Sequence, residues 1–156
     1  MTDEREQAGD GRDGGSGLLS ALADVHPDRE TSPFWEACRR RELRVQRCCD
    51  CGRFRHPPLP GCPRCGSARS EWPVVSGRGR VFSYTVVHHA AVPALARDVP
   101  YNVAVVELDD APGARLITNL LDVPADAIAV GVAVEVAWDE PSPGVVLPRF
   151  RPARAR

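Results

Sequence analysis

Two Cys-x-x-Cys pairs, Cys48/Cys51 and Cys62/Cys65, stand ten residues apart, and each is followed at once by a glycine, Gly52 and Gly66. Two cysteines three positions apart aim both sulfurs at one ion only where the chain turns tightly behind them, and glycine supplies the positive φ that such turns often need. Two such knuckles deliver four thiolates in a tetrahedron, the geometry of a closed structural zinc site. A closed site leaves no open position for water or substrate, so it holds a fold together and does no chemistry. The expected metal ligands are therefore Cys48, Cys51, Cys62 and Cys65.

Iron also accepts a thiolate tetrahedron, and Cys62-Pro63-x-Cys65-Gly66 is similar to a rubredoxin knuckle. Zinc is the expected ion, with a rubredoxin-like electron carrier as a rival reading. Cys49 lies inside the first knuckle, and its side chain should diverge from the metal. Cys38 reads as a small apolar helix residue. His56, between the knuckles, reads as a loop residue because four cysteines already complete the shell. Six cysteines without a secretion signal point to a reducing cytoplasm, where paired Cys-x-x-Cys motifs bind metal more often than they form disulfides. No apolar run approaches a membrane span, so no membrane partner is expected.

A ribbon of this size buries little apolar surface and needs its metal to stay folded. The rest of the chain reads mainly as β. Residues 1–32 form a disordered tail and linker, with one or two helical turns from Leu18 to Val25. Residues 33–75 carry a helix and the ribbon, 76–152 a barrel, and 153–156 a frayed tail. The helix is expected over 33–42, with Ser32 as N-cap, Pro33 as first helical residue, and Phe34, Trp35, Cys38 and Leu43 on one face. Strands are expected over Gly79 to His88, Tyr101 to Leu108, Arg115 to Leu121, Val132 to Trp138 and Gly144 to Phe150, the last an edge strand because it contains proline. Pro124 to Ile128 suits one short helical turn. Five strands with a small helix between the third and fourth fit a five-stranded Greek-key barrel of OB type.

Net charge is −1, but its distribution is uneven. Residues 39–80 carry eleven Arg against Glu42, Asp50 and Glu71, a local charge of +8 that coincides with the cysteine cluster. Residues 1–38 sum to −6 and residues 81–156 to −3. Arginine forks suit phosphate geometry, and Arg47, Arg53, Arg55, Arg64, Arg78 and Arg80 offer such donors. One rival reading follows: OB folds and zinc ribbons both bind single-stranded nucleic acid. Few aromatics are present for base stacking, and the barrel segment is acidic, which weighs against it.

Catalytic machinery is not evident. His88-His89 ends a strand, where neighbours point to opposite faces, so the pair reads as a strand-end or interface feature. Asp109-Asp110 is a turn pair, and Gly77-x-Gly79 is too short for a phosphate loop.

A longer pattern runs in order through residues 33–152. It begins Pro33-Phe34-Trp35-Glu36-Ala37, continues Leu43-x-x-Gln46-Arg47-Cys48-x-x-Cys51-Gly52 and Pro57-Pro58, and reaches Cys62-Pro63-x-Cys65-Gly66-Ser67 and Trp72. Gly77-x-Gly79-x-Val81-x-Ser83-Tyr84-Thr85-Val86-Val87-His88 follows, then Pro100-Tyr101-x-Val103-Ala104-x-Val106-Glu107-Leu108. It ends Arg115-Leu116-x-x-Asn119-Leu120, Gly131-x-x-Val134-x-Val136 and Pro148-x-Phe150. This order closely resembles the family that joins a rubredoxin-like zinc ribbon to an acyl-CoA-associated OB fold, long called domain of unknown function thirty-five. Departures are modest: Cys49 stands where the family usually has no cysteine, Arg40-Arg41 replaces a common Arg-Gly, and Ala111-Pro112-Gly113 lengthens a hairpin turn.

The resemblance implies a small subunit without catalytic residues of its own. Such subunits dock on thiolase-like enzymes (thiolases, aldolases, ketosynthase-like proteins) or on hydratase or synthase subunits in lipid, steroid or polyketide metabolism. They help to bind or channel acyl-CoA. Together with the arginines, it marks Phe34, Trp35, Tyr84, His88, Tyr101 and Asn119 as candidate contacts for a CoA thioester or a partner.

Overall fold

The computed structural model describes residues 25–154. The tail expected at 1–17 and the helical turns expected from Leu18 lie outside the described residues, apart from Val25.

Helix α1 spans Ser32–Arg39. It starts where Asp28 and Thr31 bond each other reciprocally: Asp28 Oδ1 accepts the Thr31 N–H at 2.7 Å, and Thr31 Oγ1 accepts the Asp28 N–H at 3.0 Å. The N-cap is therefore Thr31 and not Ser32, whose hydroxyl instead donates to the Asp28 carbonyl at 2.7 Å. The helix also stops short of residue 42. Arg41 adopts φ 57°, its N–H reaches the Cys38 carbonyl at 2.8 Å, and the Glu42 N–H reaches the Ala37 carbonyl at 3.0 Å. This paired closure is a Schellman motif with a left-handed residue at its turn. Phe34, Ala37 and Cys38 are buried beneath the helix.

The ribbon is a three-stranded antiparallel sheet of β1 (Gln46–Cys48), β2 (Phe54–Arg55) and β3 (Ser70–Glu71), in the order β2-β1-β3. The second sheet holds β4 (Arg78–Val87), β5 (Tyr101–Leu108), β6 (Arg115–Thr118), β7 (Ala133–Ser142) and β8 (Val145–Pro152), in the order β6-β5-β4-β7-β8. All these pairings are antiparallel. A parallel bridge between Leu120 and Phe150 brings the two ends of the sheet together. There the Leu121 N–H donates to the Phe150 carbonyl at 2.7 Å, and the Phe150 N–H to the Asn119 carbonyl at 3.2 Å. The result is the nearly closed five-stranded barrel that the strand pattern predicts, with a 3₁₀ turn at Ala125–Ala127 between β6 and β7.

Strand bounds differ in instructive places. β6 ends at Thr118, because the chain then leaves β5 to bridge Phe150. β7 runs on to Ser142, because β8 pairs with it as a hairpin from Val134 to Ser142. β8 is the edge strand expected, last in the sheet order and laddered to β7, with Phe150 also bridging Leu120 to close the barrel. His88 lies just past the end of β4. One apolar cluster joins Phe34, Cys38, Leu43 and Val45 to Val81, Val106, Leu116, Val134 and Phe150. The metal-stapled ribbon, the helix and the barrel thus share one core.

Candidate metal centre and apolar cavity

Cys48 is the last residue of β1, so the first knuckle begins where the strand ends. Gly52 at φ 70° and Gly66 at φ 75° close the two turns, and their N–H groups donate to the Cys48 carbonyl at 3.0 Å and the Cys62 carbonyl at 2.8 Å. A side chain at either position would force a left-handed backbone that only glycine adopts without strain.

The four Sγ atoms of Cys48, Cys51, Cys62 and Cys65 lie within 4.8 Å of one another. Cys48 to Cys65 is 3.6 Å and Cys51 to Cys62 is 3.5 Å. A zinc tetrahedron with Zn–S bonds of about 2.3 Å has edges of about 3.8 Å, so the thiols are close to the spacing that the ion requires. Charge supports the same fit. Backbone N–H groups at Cys51 and Asp50 help to bring Cys48 down to about 6. Cys65 receives a favourable backbone bond at Ser67, but burial and its three sulfur neighbours still push it up to about 12. Four thiolates packed this closely need a cation among them. Cys49 is exposed and outside the cluster, and Cys38 is buried under α1, where desolvation raises its thiol to about 12.

The basic segment does not form one patch. Arg47 pairs with Glu71 at 2.7 Å, with its guanidinium carbon 5.6 Å from the centre of the Phe54 ring. Arg53 and Arg64 flank a shallow cavity of about 400 Å³ beside Gly113. Arg78 is exposed, and Arg80 reaches the Gly131 carbonyl at 3.3 Å along a separate cavity of about 480 Å³. Arg55 corrects an expectation. It is 5 % exposed, and its Nε donates to Gln46 Oε1 at 2.6 Å, so it braces the ribbon and does not present its fork to solvent. Tyr84 and His88 are exposed on and just beyond β4.

Four of the candidates do converge. Phe34, Trp35, Tyr101 and Asn119 line a cavity of about 610 Å³ between α1, the Pro57–Pro58 loop and the seam where β6 faces β8. Val103, Ile117, Leu147 and Pro148 complete its apolar wall. Its polar end contains Arg149, which is 4 % exposed, with Nε 3.3 Å from Asp139 Oδ2 and Nη1 bonded to Asn119 Oδ1. Asn119 Nδ2 in turn bonds the Asn102 carbonyl, and Asn102 Oδ1 accepts the Leu120 N–H at 2.7 Å. This network joins β5, β7 and β8 through Asn119, the residue after β6. Arg149 and Asp139 gave no signal in the sequence, because only the hairpin register brings residues ten apart together. His56 lines the same cavity. Its Nδ1 is buried without a partner, its ring centre lies 4.9 Å from that of Phe34, and burial pushes its pKa down to about 4.

Residues 35–71 match the family model described as "ChsH2, rubredoxin-like zinc ribbon domain", and residues 72–139 match "ChsH2, C-terminal OB-fold domain". A probable enoyl-CoA hydratase alpha subunit of Thermomonospora curvata is 44% identical over 126 residues, 81% of this chain and 38% of that protein. The chain therefore spans well under half of that relative. A DUF35 domain-containing scaffold protein of Methanothermobacter thermautotrophicus is 31% identical over 128 residues, 78% of this chain and 94% of that protein. A solved structure described as "Ltp2-ChsH2(DUF35) aldolase" superposes with a TM-score of 0.75 at 41% identity, covering 84% of this chain and 100% of that one. Paired ribbon and barrel models in this order, with a four-cysteine cluster at metal-binding spacing, mean that this chain belongs to the ChsH2/DUF35 family of zinc-ribbon and OB-fold proteins.

Proposed function

We propose that this chain is a non-catalytic accessory subunit that docks on a thiolase-like enzyme and helps to bind or channel its acyl-CoA substrate. The observation that carries this reading is the likeness to the ChsH2(DUF35) chain of the Ltp2-ChsH2 aldolase, matched over its whole length. The "scaffold protein" name of the archaeal relative supports the non-catalytic part, and the hydratase subunit name supports acyl-CoA chemistry in the partner.

In this reading the ribbon, residues 33–75, and the barrel, 76–152, act as one rigid unit. Zinc on Cys48, Cys51, Cys62 and Cys65 sets the ribbon's shape and takes no part in the reaction. Arg47, Arg53, Arg78 and Arg80 supply cations at separate surface positions for the CoA phosphates or for acidic residues of a partner. The carbon–carbon chemistry belongs to the partner's own nucleophile or base.

The test is co-expression with a thiolase-like protein from the same genome, followed by affinity capture and assay of the partner with and without this chain. Stable co-purification and a partner that loses most of its activity alone are expected. A fully active lone partner that never co-purifies would overturn the reading.

A further inference from the structure

Val25, the first of the described residues, is already docked on the fold. It lines a small cleft of about 40 Å³ between α1, at Trp35 and Arg39, and the β7–β8 turn, at Gly144, Val145 and Val146. The reciprocal Asp28–Thr31 bonds fix the path from this cleft to the helix. Trp35 lines both the cleft and the cavity of about 610 Å³, so it is the wall between them. The chain before Val25 therefore sets out from beside the mouth of the large cavity.

That mouth is apolar and open. Ile117 on its wall is 78% exposed, and Trp35, Val103 and Leu147 are only half-buried. Covering such surface is favourable, because it takes apolar area out of water.

The residues just upstream carry a matching pattern. Leu18, Leu22 and Val25 stand at i, i+4 and i+7, the spacing of one helical face. A face that turns Val25 into the cleft carries Leu22 and Leu18 on the same side. The seven steps from Val25 back to Leu18 span about 10 Å as helix and at most about 25 Å extended, enough in either form to pass an indole ring. Charge agrees. Residues 1–24 carry a net charge of −4, with Asp24 next to Val25. Arg39, in the cleft beside Val25, is exposed and meets no carboxylate among the described residues.

We propose that residues 18–24 lie across the cavity mouth as an intrachain cover, with Leu18 and Leu22 against Trp35 and Ile117, and Asp24 beside Arg39. The free chain is then closed at this face, and anything that enters the cavity displaces the cover first. The cover does not rest on the accessory function, since a chain that docks on nothing would close in the same way.

The experiment uses the full zinc-loaded chain with labelled Leu and Ile methyl groups, followed by NMR. Nuclear Overhauser contacts from the Leu18 and Leu22 methyls to the Trp35 indole and the Ile117 methyl are expected, together with shielding of Ile117 from a soluble paramagnetic agent. The double variant Leu18→Asp, Leu22→Asp should lose those contacts and expose Ile117 to the agent, while the amide shifts of β4 to β8 stay in place. Arg39→Glu should weaken the same contacts.

Leucine methyls without contacts to Trp35 or Ile117, or an Ile117 equally accessible in parent and double variant, would overturn the proposal. A mixture of labelled and unlabelled chains separates contacts within one chain from contacts between copies. Contacts found only between chains would also overturn it and give the mouth to a second copy. Co-purification with a thiolase-like protein is a separate readout, and its failure removes the accessory function and not the cover.

Discussion

Arg55 Nε donates to Gln46 Oε1 across the β1–β2 pair at 2.6 Å, and the same oxygen accepts the Leu59 N–H at 2.9 Å. Gln46 Nε2 extends the link to Ser70 Oγ at 3.2 Å on β3. One buried amide therefore ties all three ribbon strands and the loop after β2. Its removal takes one hydrogen bond from a guanidinium that is 5 % exposed and leaves it the Leu59 carbonyl at 3.3 Å. Gln46→Leu should cost about 2 kcal/mol, the scale for a lost hydrogen bond to a charged group. Chemical denaturation of the zinc-loaded chain measures it, and a loss below about 1 kcal/mol would contradict the role assigned to Gln46.

The thiol cluster gives a second prediction. Cys62 is buried and closes the second knuckle through the Cys62–Gly66 turn. Cys62→Ser should lower bound zinc from one ion per chain to near zero. Because Leu43 and Val45 belong to the shared core, the loss should also loosen α1. Elemental analysis and near-ultraviolet circular dichroism read the two effects. An unchanged spectrum in metal-free protein would show that the ribbon stands without its ion.

Arg41 occupies the left-handed turn after α1 at φ 57°. Non-glycine residues lose about 1–2 kcal/mol in that region. Arg41→Gly should therefore stabilise the chain by about 1 kcal/mol, less any entropy that glycine adds to the unfolded state. Thermal unfolding would show the gain; a drop in midpoint would mean that the Arg41 side chain has a role of its own.

His56 predicts a pH dependence. Burial lowers its folded pKa to about 4, below the unfolded value near 6.5, so the unfolded chain takes up a proton first as pH falls. The stability is complete above about pH 6.5 and declines as pH falls toward 4, by about 3 kcal/mol across the window. His56→Phe should flatten that slope while keeping the contact with Phe34. Equal slopes in the two proteins would remove His56 as the cause.

Much of this was legible in the residues themselves. The metal site follows from spacing: each pair of cysteines and its glycine fold within a single turn, and nothing distant is needed to bring two sulfurs together. Tyr101 to Leu108 matches its strand to the residue, because a β-branched, apolar run lies between Pro100 and an acidic turn, with Ala104, Val106 and Leu108 on its buried face. The helix bounds were less legible. Thr31 displaced Ser32 as cap through a bond to Asp28, and Arg41 ended the helix through a φ that its side chain does not announce.

The basic segment shows where local reading stops. Eleven arginines in residues 39–80 suggest one patch, yet folding sends Arg55 inward to Gln46, Arg47 to Glu71 and Arg80 toward Gly131. Phe34, Trp35, Tyr101 and Asn119 were marked singly as candidate contacts, but nothing in the sequence gathered them into one cavity or pointed to its charged end. Arg149 meets Asp139 only because β7 and β8 pair in one register, and both face Asn119 only because the sheet curls until Leu120 bridges Phe150.

Sequence alone pointed to the ribbon, its four cysteine ligands and a five-stranded barrel, because each knuckle and each strand carries its pattern within a few residues. Tertiary structure alone decided which arginines stay in water and which residues surround the cavity. Closing a barrel joins chain segments whose separation carries no local signal, and burial then assigns each polar group the partner that offsets its lost hydration.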